Sequence, residues 1–389
     1  MPYLVIKNQD TFTKFSILSR FSRFDSLGIA TCKLPYTKIS ILKILFTNFC
    51  INNCKYCAIR NQNDIRRTSF TPEELANFVL ELHTKGLIKG LFLSSGIGKN
   101  PDDTMERMIK SIEILRKKFD YKGYVHLKIL PGTSKELIKK AVTLADRVSC
   151  NLELPTNKSL AFWAPEKKKA ELIKILSLIT KNFLENEKQP SVSTQLIIGA
   201  SRDSDKTILK LADSLYKSKI VKRVYYSAYI PVNQDPELPE IKEPPVLREY
   251  RLYQADKLIR EYRFSISELF SCSENLSLDR DPKLAWAFSH PEFFPVDLAR
   301  ADYFELLRIP GIGPQTARKI LALRKDTPLN EYTLRKLGLP LEKISKFITI
   351  KGKTMGRLFE NELFPQIKTE NLSGLQCNNS LFAGSYRSF

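Results

Sequence analysis

Three of the chain's seven cysteines, Cys50, Cys54 and Cys57, fall within eight residues of "FTNFCINNCKYCAIRN" in a C-x3-C-x2-C spacing. Thiolate sulfur is the ligand that iron–sulfur clusters and zinc both take. A structural zinc needs four protein ligands, and the histidines, His83, His126 and His290, lie far away in sequence. A thiol redox loop is the remaining use. Three thiolates on a four-iron cluster leave one iron without a protein ligand, and a substrate or cofactor can bind there. An odd number of cysteines, three of them in one loop, makes a poor disulfide framework and fits a reducing compartment. Cys32, Cys272 and Cys377 are isolated and carry no assignment.

Elements that could position such a loop are written in the hydropathy pattern. Short apolar runs at 41–46, 90–95, 124–130, 147–154, 193–199 and 223–230 alternate with helical segments. Two of those helices open on capping boxes, Thr71 with Glu74 and Thr133 with Glu136. Six strand–helix units in strict alternation argue for parallel strands with helices along one side, an open or closed barrel whose first strand leads into the cysteines. Neighbouring residues on a strand face opposite ways. Val125, Leu127 and Ile129 should pack on helices while Tyr124, His126 and Lys128 face inward, which makes His126 and Lys128 candidates to meet a substrate. In the fourth strand Val148, Cys150, Leu152 and Leu154 face outward, so Cys150 reads as packing, and Ser149, Asn151 and Glu153 face inward. Arg223, Tyr225, Ser227 and Tyr229 complete a polar lumen of the kind that holds a ligand.

At 389 residues the chain is long enough for two domains. Its net charge of +20 is spread over the whole length, which suits polyanions, nucleic acid before an acidic membrane surface, or serves solubility alone. No apolar run approaches a membrane span and the N-terminus lacks signal-peptide order, so a cytoplasmic location without membrane association is expected. The proline-rich stretch 231–245 reads as a linker or covering loop. After it, "LREYRLYQADKLIREY" interleaves Arg and Tyr, either along a phosphate backbone or as a solvated face. Further on, "DYFELLRIPGIGPQTARKILALRK" (302–325) sets two helices about a Pro-Gly-Ile-Gly turn. Gly311 and Gly313 would let backbone N–H groups approach a phosphate at a helix N-terminus, with Arg318, Lys319, Arg324 and Lys325 around it.

The cysteine spacing, the aromatic Tyr56 before the last cysteine and the six units together resemble the radical S-adenosylmethionine superfamily. That resemblance implies an α/β fold, a partial (βα)6 TIM-like barrel, with a 4Fe–4S cluster on Cys50, Cys54 and Cys57 and S-adenosylmethionine as cofactors. It implies that a 5'-deoxyadenosyl radical is made and abstracts hydrogen from a substrate. Ser94, Ser95 and Gly96 stand where the superfamily usually has a Gly-Gly-Glu-like element for the amino group of S-adenosylmethionine. The Glu is absent, so backbone carbonyls would serve. Asn151 and Glu153 correspond to the ribose or carboxylate contacts, Gly199 to the fifth-strand motif beside the adenine, and Tyr56 to the cofactor-side aromatic.

The C-terminal pattern resembles a helix-hairpin-helix motif, which contacts sugar-phosphate through residues such as Gly311, Gly313, Arg318 and Lys319 without reading bases. Both halves together resemble a group of DNA modification or repair proteins that join the two motifs, from about Phe21 to Arg324. The longer glycine- and cysteine-containing stretch that the group carries before the first strand is reduced here to "GIATCKLPYTK". The resemblance implies a one-electron donor such as ferredoxin or flavodoxin and a glycosylase-like partner protein. The expected organisation is an N-terminal extension (1–39), the barrel (40–265), a connecting segment (266–295), a small all-α helix-hairpin-helix domain (296–355) and a tail (356–389). The expected function is a radical enzyme acting on DNA; the same chemistry on RNA, and a nucleic-acid-binding iron–sulfur scaffold or redox sensor, are the alternatives.

Overall fold

A computed structural model describes residues 9–22, 31–33, 40–181, 190–233, 237–238, 241 and 243–354. The tail with Cys377, most of the N-terminal extension and the side chain of Cys32 lie outside the described residues. The chain divides into two compact units, Met1–Asp256 and Lys257–Phe389.

In the first unit helix α1 (Gln9–Ser22) precedes strands β1 (Thr31–Lys33), β2 (Ser40–Leu45), β3 (Gly90–Ser94), β4 (Tyr124–Lys128), β5 (Arg147–Ser149), β6 (Ser191–Ile198) and β7 (Arg223–Ala228). They form one sheet in sequence order. Strands β2 to β7 are parallel throughout, the partial barrel expected from the alternation of runs and helices. Strand β1, not anticipated, adds an antiparallel edge to β2. The intervening helices are α2 (Pro72–Thr84), α3 (Pro101–Glu113), α4 (Lys135–Leu144), α5 (Asn157–Trp163), α6 (Lys169–Lys181) and α7 (Asp205–Lys217), with α8 (Val246–Tyr262) after β7.

Helix α2 starts where its sequence says. Thr71 Oγ1 accepts from the Glu74 N–H while the Glu74 carboxylate accepts from the Thr71 N–H, satisfying two donors that the first turn leaves open. The second expected box does not form. Ser134, not Thr133, is the N-cap of α4, and Thr133 Oγ1 donates back to Leu130 O at 2.7 Å. Helix α1, also unanticipated, lies on α2: Lys14 binds Glu74 at 2.8 Å and the Phe15 and Phe78 rings are 5.1 Å apart.

The fourth run, expected as one strand over 147–154, is interrupted. Pairing stops at Ser149, Thr194 Oγ1 bridges the Leu152 N–H and Cys150 O, and Glu153 rejoins the sheet by a single bridge to Leu196. Glu153 does so in the left-handed region, with φ +63°, a conformation that costs a non-glycine residue of order 1 kcal/mol and gathers at functional sites. Helix α8 is not a free cationic face. Arg248 binds Asp205 at 2.6 Å, Tyr253 donates to Tyr226 O at 2.9 Å, and the buried Asp256 accepts from Tyr216 and Tyr226.

The second unit contains α9 (Ile266–Leu269), α10 (Pro282–Ser289), α11 (Tyr303–Arg308), α12 (Pro314–Asp326), α13 (Glu331–Lys336) and α14 (Leu341–Ile344). A small sheet joins them: β8 (Val296–Asp297) pairs with β9 (Ile348–Ile350), which pairs with β10 (Lys353–Thr354). Its core joins Phe264 and Trp286 to Leu306, Ile309, Ala317 and Ile320, so the segment 266–295 packs into the same core as the hairpin. Arg308 locks this core from its rim, bound to Glu268 at 2.7 Å and lying 3.9 Å over the Phe264 ring.

Candidate metal centre and cofactor cavity

Past the end of β2 the chain does not turn away. Phe46 N–H donates to Ser94 O, Gly96 N–H to Thr47 O and Ile51 N–H to Ile97 O, each at 2.8–2.9 Å. The cysteine loop is thereby strapped to the segment that follows β3. This closeness explains Gly96, where a Cβ would sit 2.3 Å from Phe49 O; any side chain there would push the loop off.

Cys50, Cys54 and Cys57 all border one cavity at the C-terminal ends of the strands. Cys54 is 6% exposed; Cys50 and Cys57 are half-buried. Burial raises the pKa of Cys54 and pushes Cys57 up to about 12, a penalty on the thiolates that a cationic metal centre removes. The donor set, three soft thiols bordering one cavity, fits by its chemistry a cluster whose irons take thiolate sulfur.

The same cavity is lined by Ser94, Ser95 and Gly96 from the end of β3, Lys128 from β4, and Asn151 with Glu153 from the interrupted fourth run. Ser95 Oγ is buried with no hydrogen-bond partner, a group poised for a polar ligand. The Glu153 carboxylate is paired with Lys167, 2.9 Å away, with side-chain exposures of 7% and 11%. Lys167 also reaches the Tyr56 hydroxyl at 2.9 Å. Burial alone would lower the Lys167 pKa, but Glu153, and after it Tyr56 and Cys54, hold it well above the ordinary lysine value. The ammonium therefore stays charged at the junction of the carboxylate wall and the cysteine loop.

Of the expected site residues, the structure brings Cys50, Cys54, Cys57, Tyr56, Ser94, Ser95, Gly96, Lys128, Asn151 and Glu153 to this cavity. His126 and Gly199 are not among its lining. His126 bonds Ser149 Oγ at 2.9 Å and stacks on Phe92 at 4.0 Å. Burial, reinforced by Arg147, Lys43 and Lys128, holds its pKa well below the usual imidazole range, so it is neutral. Gly199 has φ +86° and abuts Pro245; Gln195 and Ile197 of β6 reach the cavity in its stead. Ile129, expected to face helices, lies one residue past β4 and borders the cavity. Cys150 is fully buried, in keeping with packing.

Sequence reasoning missed Lys167 and its segment. Trp163 O accepts from the Lys55 N–H at 2.7 Å and Glu166 accepts from the Asn53 N–H at 2.9 Å, so the stretch after α5 grips the cysteine loop. "APEKKKAEL" reads as an ordinary solvated helix start, and nothing in it marks one lysine of three as buried.

In the second unit Gly311 has φ +82°, so the hairpin turn requires glycine there. Gly313 has an ordinary backbone, but a Cβ would come 3.1 Å from the Tyr262 hydroxyl. It is the N-cap of α12 without a side-chain cap, leaving N–H groups of the first turn open to an anion. Arg318 and Lys319 are exposed on that helix. Arg324, expected among the phosphate contacts, is instead spent on Leu298 O and Ala301 O.

Beneath the turn Lys283, 8% exposed, donates to Ile312 O at 2.5 Å. Burial pushes its pKa down to about 7, with Asp281 opposing and Arg308 adding. Between about pH 7 and the ordinary lysine value, the unfolded chain then binds more protons than the folded one. Stability of this unit should rise with pH across that window, by at most about 1.4 kcal/mol per pH unit. Exchange of the hairpin amides should slow accordingly once corrected for intrinsic rate, and Lys283→Met should flatten the trend. Equal slopes in both proteins would refute it.

No helix among the described residues is long and apolar enough to cross a membrane. Residues 44–215 match the family model described as the Radical SAM superfamily, and residues 296–323 match that of the helix-hairpin-helix motif. No curated protein matches the chain. Among solved structures, it is similar to HydG, a maturase of the FeFe-hydrogenase, at 17% identity, covering 65% of this chain and 55% of that one with a TM-score of 0.45. It is similar to methylornithine synthase at 16% identity, covering 64% and 74%, TM-score 0.44. A radical SAM methyltransferase from Sphaerobacter thermophilus matches at 14% identity, covering 57% and 65%, TM-score 0.43.

Proposed function

We propose, from the premise that residues 44–215 are a radical SAM enzyme domain whose cofactors are a 4Fe–4S cluster and S-adenosylmethionine, that the chain acts on DNA, modifying a base or repairing a lesion. One observation carries the reading. Three thiols, an unpartnered serine and a buried Lys167–Glu153 pair border one cavity, in a chain that also carries a helix-hairpin-helix and a net charge of +20.

When bound, the cluster supplies one electron that splits the sulfonium of S-adenosylmethionine into methionine and a 5'-deoxyadenosyl radical. The chain's own residues do the placing. Cys50, Cys54 and Cys57 would hold the cluster. Ser95 Oγ and the carbonyls of Ser94 to Gly96 would take the ammonium of S-adenosylmethionine, Lys167 its carboxylate, and Asn151 with Glu153 its ribose, with Tyr56 on the cluster side. Gly199 shapes the turn after β6 that the adenine would lie beside. Lys128, which borders the cavity, would meet the substrate, and neutral His126, bonded to Ser149 and stacked on Phe92, would support the lumen. Leu45, Ile97 and Ile197 add an apolar wall that keeps water from a reactive carbon.

In the second unit, Gly311, Gly313, Arg318 and Lys319 would grip phosphates without selecting sequence. A low-potential one-electron donor of the ferredoxin or flavodoxin kind and a glycosylase-like protein are the partners this reading calls for.

Duplex binding should weaken steeply with salt. Reversing Arg318 or Lys319 to Glu should reduce the slope of log K against log salt by about 1 each, and Gly311→Val should weaken binding by straining the turn. Binding indifferent to salt and to all three changes would remove the hairpin from the account. The substrate itself is tested by anaerobic incubation with damaged and undamaged DNA and RNA, followed by mass spectrometry of nucleosides. A changed deoxynucleoside is expected; change confined to ribonucleosides would replace DNA by RNA.

A further inference from the structure

Between Asn48 and Thr68 the chain makes a long loop that carries all three cysteines and belongs to no ladder. Its neck is closed by Thr47 opposite Ser69 and by Asn48, whose side chain accepts from the Thr68 N–H at 2.7 Å and donates to Arg66 O at 2.8 Å. Inside the neck lies the guanidinium of Arg67. Its Nη1 donates to Asn48 O at 2.5 Å and Ile59 O at 2.8 Å; its Nη2 donates to Arg60 O at 2.7 Å, Asn61 O at 3.3 Å and Asn63 O at 2.9 Å. Two side-chain amides extend the clasp. Asn63 donates to Ala58 O at 2.8 Å and Asn233 to Lys55 O at 2.6 Å and Cys57 O at 3.2 Å.

Carbonyls gathered around one point repel one another and, once removed from water, must be satisfied. Only a planar, permanently charged fork with two donors on each terminal nitrogen can serve so many at once; lysine has three donors on a single atom and cannot span them. We infer that Arg67 is a positioning residue that sets the shape of the cysteine loop before any metal arrives, so that the folded, metal-free chain presents its three thiols already arranged for cluster insertion. The inference rests on reading the three cysteines as metal ligands, but its content concerns the metal-free loop and can fail by itself.

The test uses the full chain stripped of metal under reducing, anaerobic conditions. Amide exchange of peptides covering 48–63 and the rate of thiol alkylation are compared in wild type, Arg67→Lys and Arg67→Met. The N–H groups of Ile51, Cys57 and Asn61, bonded to Ile97 O, Cys54 O and Asn52 O, should be protected in the wild type. Both variants should raise loop exchange and alkylation at least about ten-fold, with exchange in α2 and α12 unchanged. Ethylguanidinium added to Arg67→Ala should restore slow alkylation, a rescue that general destabilisation would not give. If Arg67→Met does not fold, Arg67→Lys carries the comparison. A wild-type loop that exchanges freely without metal, or variants that match the wild type, would overturn the inference. Iron uptake by the wild type, measured alongside, reports separately on the metal reading.

Discussion

Replacing Cys54 with serine is expected to leave a folded chain that neither retains a four-iron cluster nor forms 5'-deoxyadenosine above background. Cys54 is the most deeply buried of the trio and stands between the other two. Serine matches it in shape, but its hydroxyl is a hard oxygen with a far higher pKa, and it cannot supply the soft anionic ligand that iron in a sulfide cluster takes. The protein cost is small, because the loop is held by hydrogen bonds other than the thiol's. Iron and sulfide content after anaerobic reconstitution should therefore collapse while the thermal transition moves little. The same change at Cys50 or Cys57 should behave alike. A full cluster in Cys54→Ser would mean that the loop is not the metal site.

The second large effect concerns the buried pair beside the loop. Glu153→Gln leaves the Lys167 ammonium in place with its counter-charge gone, at an exposure of about one-tenth. Removing one partner of a buried ion pair costs about 3–5 kcal/mol, because the survivor's desolvation is no longer offset. Lys167→Met should cost a comparable amount, and the double change Glu153→Gln/Lys167→Met clearly less than the sum of the two. Binding of S-adenosylmethionine should not recover in the double variant, because it needs the groups themselves and not merely a neutral wall. Denaturant unfolding of the four proteins and calorimetric titration of their reconstituted forms make the comparison. Additive losses, or full binding by the double variant, would contradict the assignment.

These expectations depend on residues that were unequally visible in the amino-acid sequence. The barrel could be read because parallel strands covered by helices must alternate with them, and period-two facing then carried Lys128, Asn151 and Glu153 to one cavity. The same rule went astray where the ladder stops. Ile129 lies beyond the end of β4, and the fourth run breaks at Cys150 before Glu153 returns with φ +63°. A period says nothing about where pairing ends. His126 satisfied the rule for facing, but not for depth: a lumen has layers, and His126 lies in one closed by Phe92 and Ser149. Lys167 and Arg67 were invisible for another reason. One is a lysine in a run of lysines, the other an arginine whose known work is done on backbone carbonyls, and carbonyls leave no trace in a residue alphabet. Arg324 shows the converse, a cation correctly placed near the hairpin in sequence but committed to Leu298 and Ala301 in space.

The claim on which the rest depends is that three thiolates hold a cluster with one iron open to S-adenosylmethionine. The direct measurement is electron paramagnetic resonance of the anaerobically reconstituted, dithionite-reduced chain, with and without S-adenosylmethionine, beside metal analysis. About four iron and four sulfide per chain and a signal whose g-values move when S-adenosylmethionine is added are predicted. A single zinc per chain, or a cluster signal indifferent to S-adenosylmethionine, would contradict it.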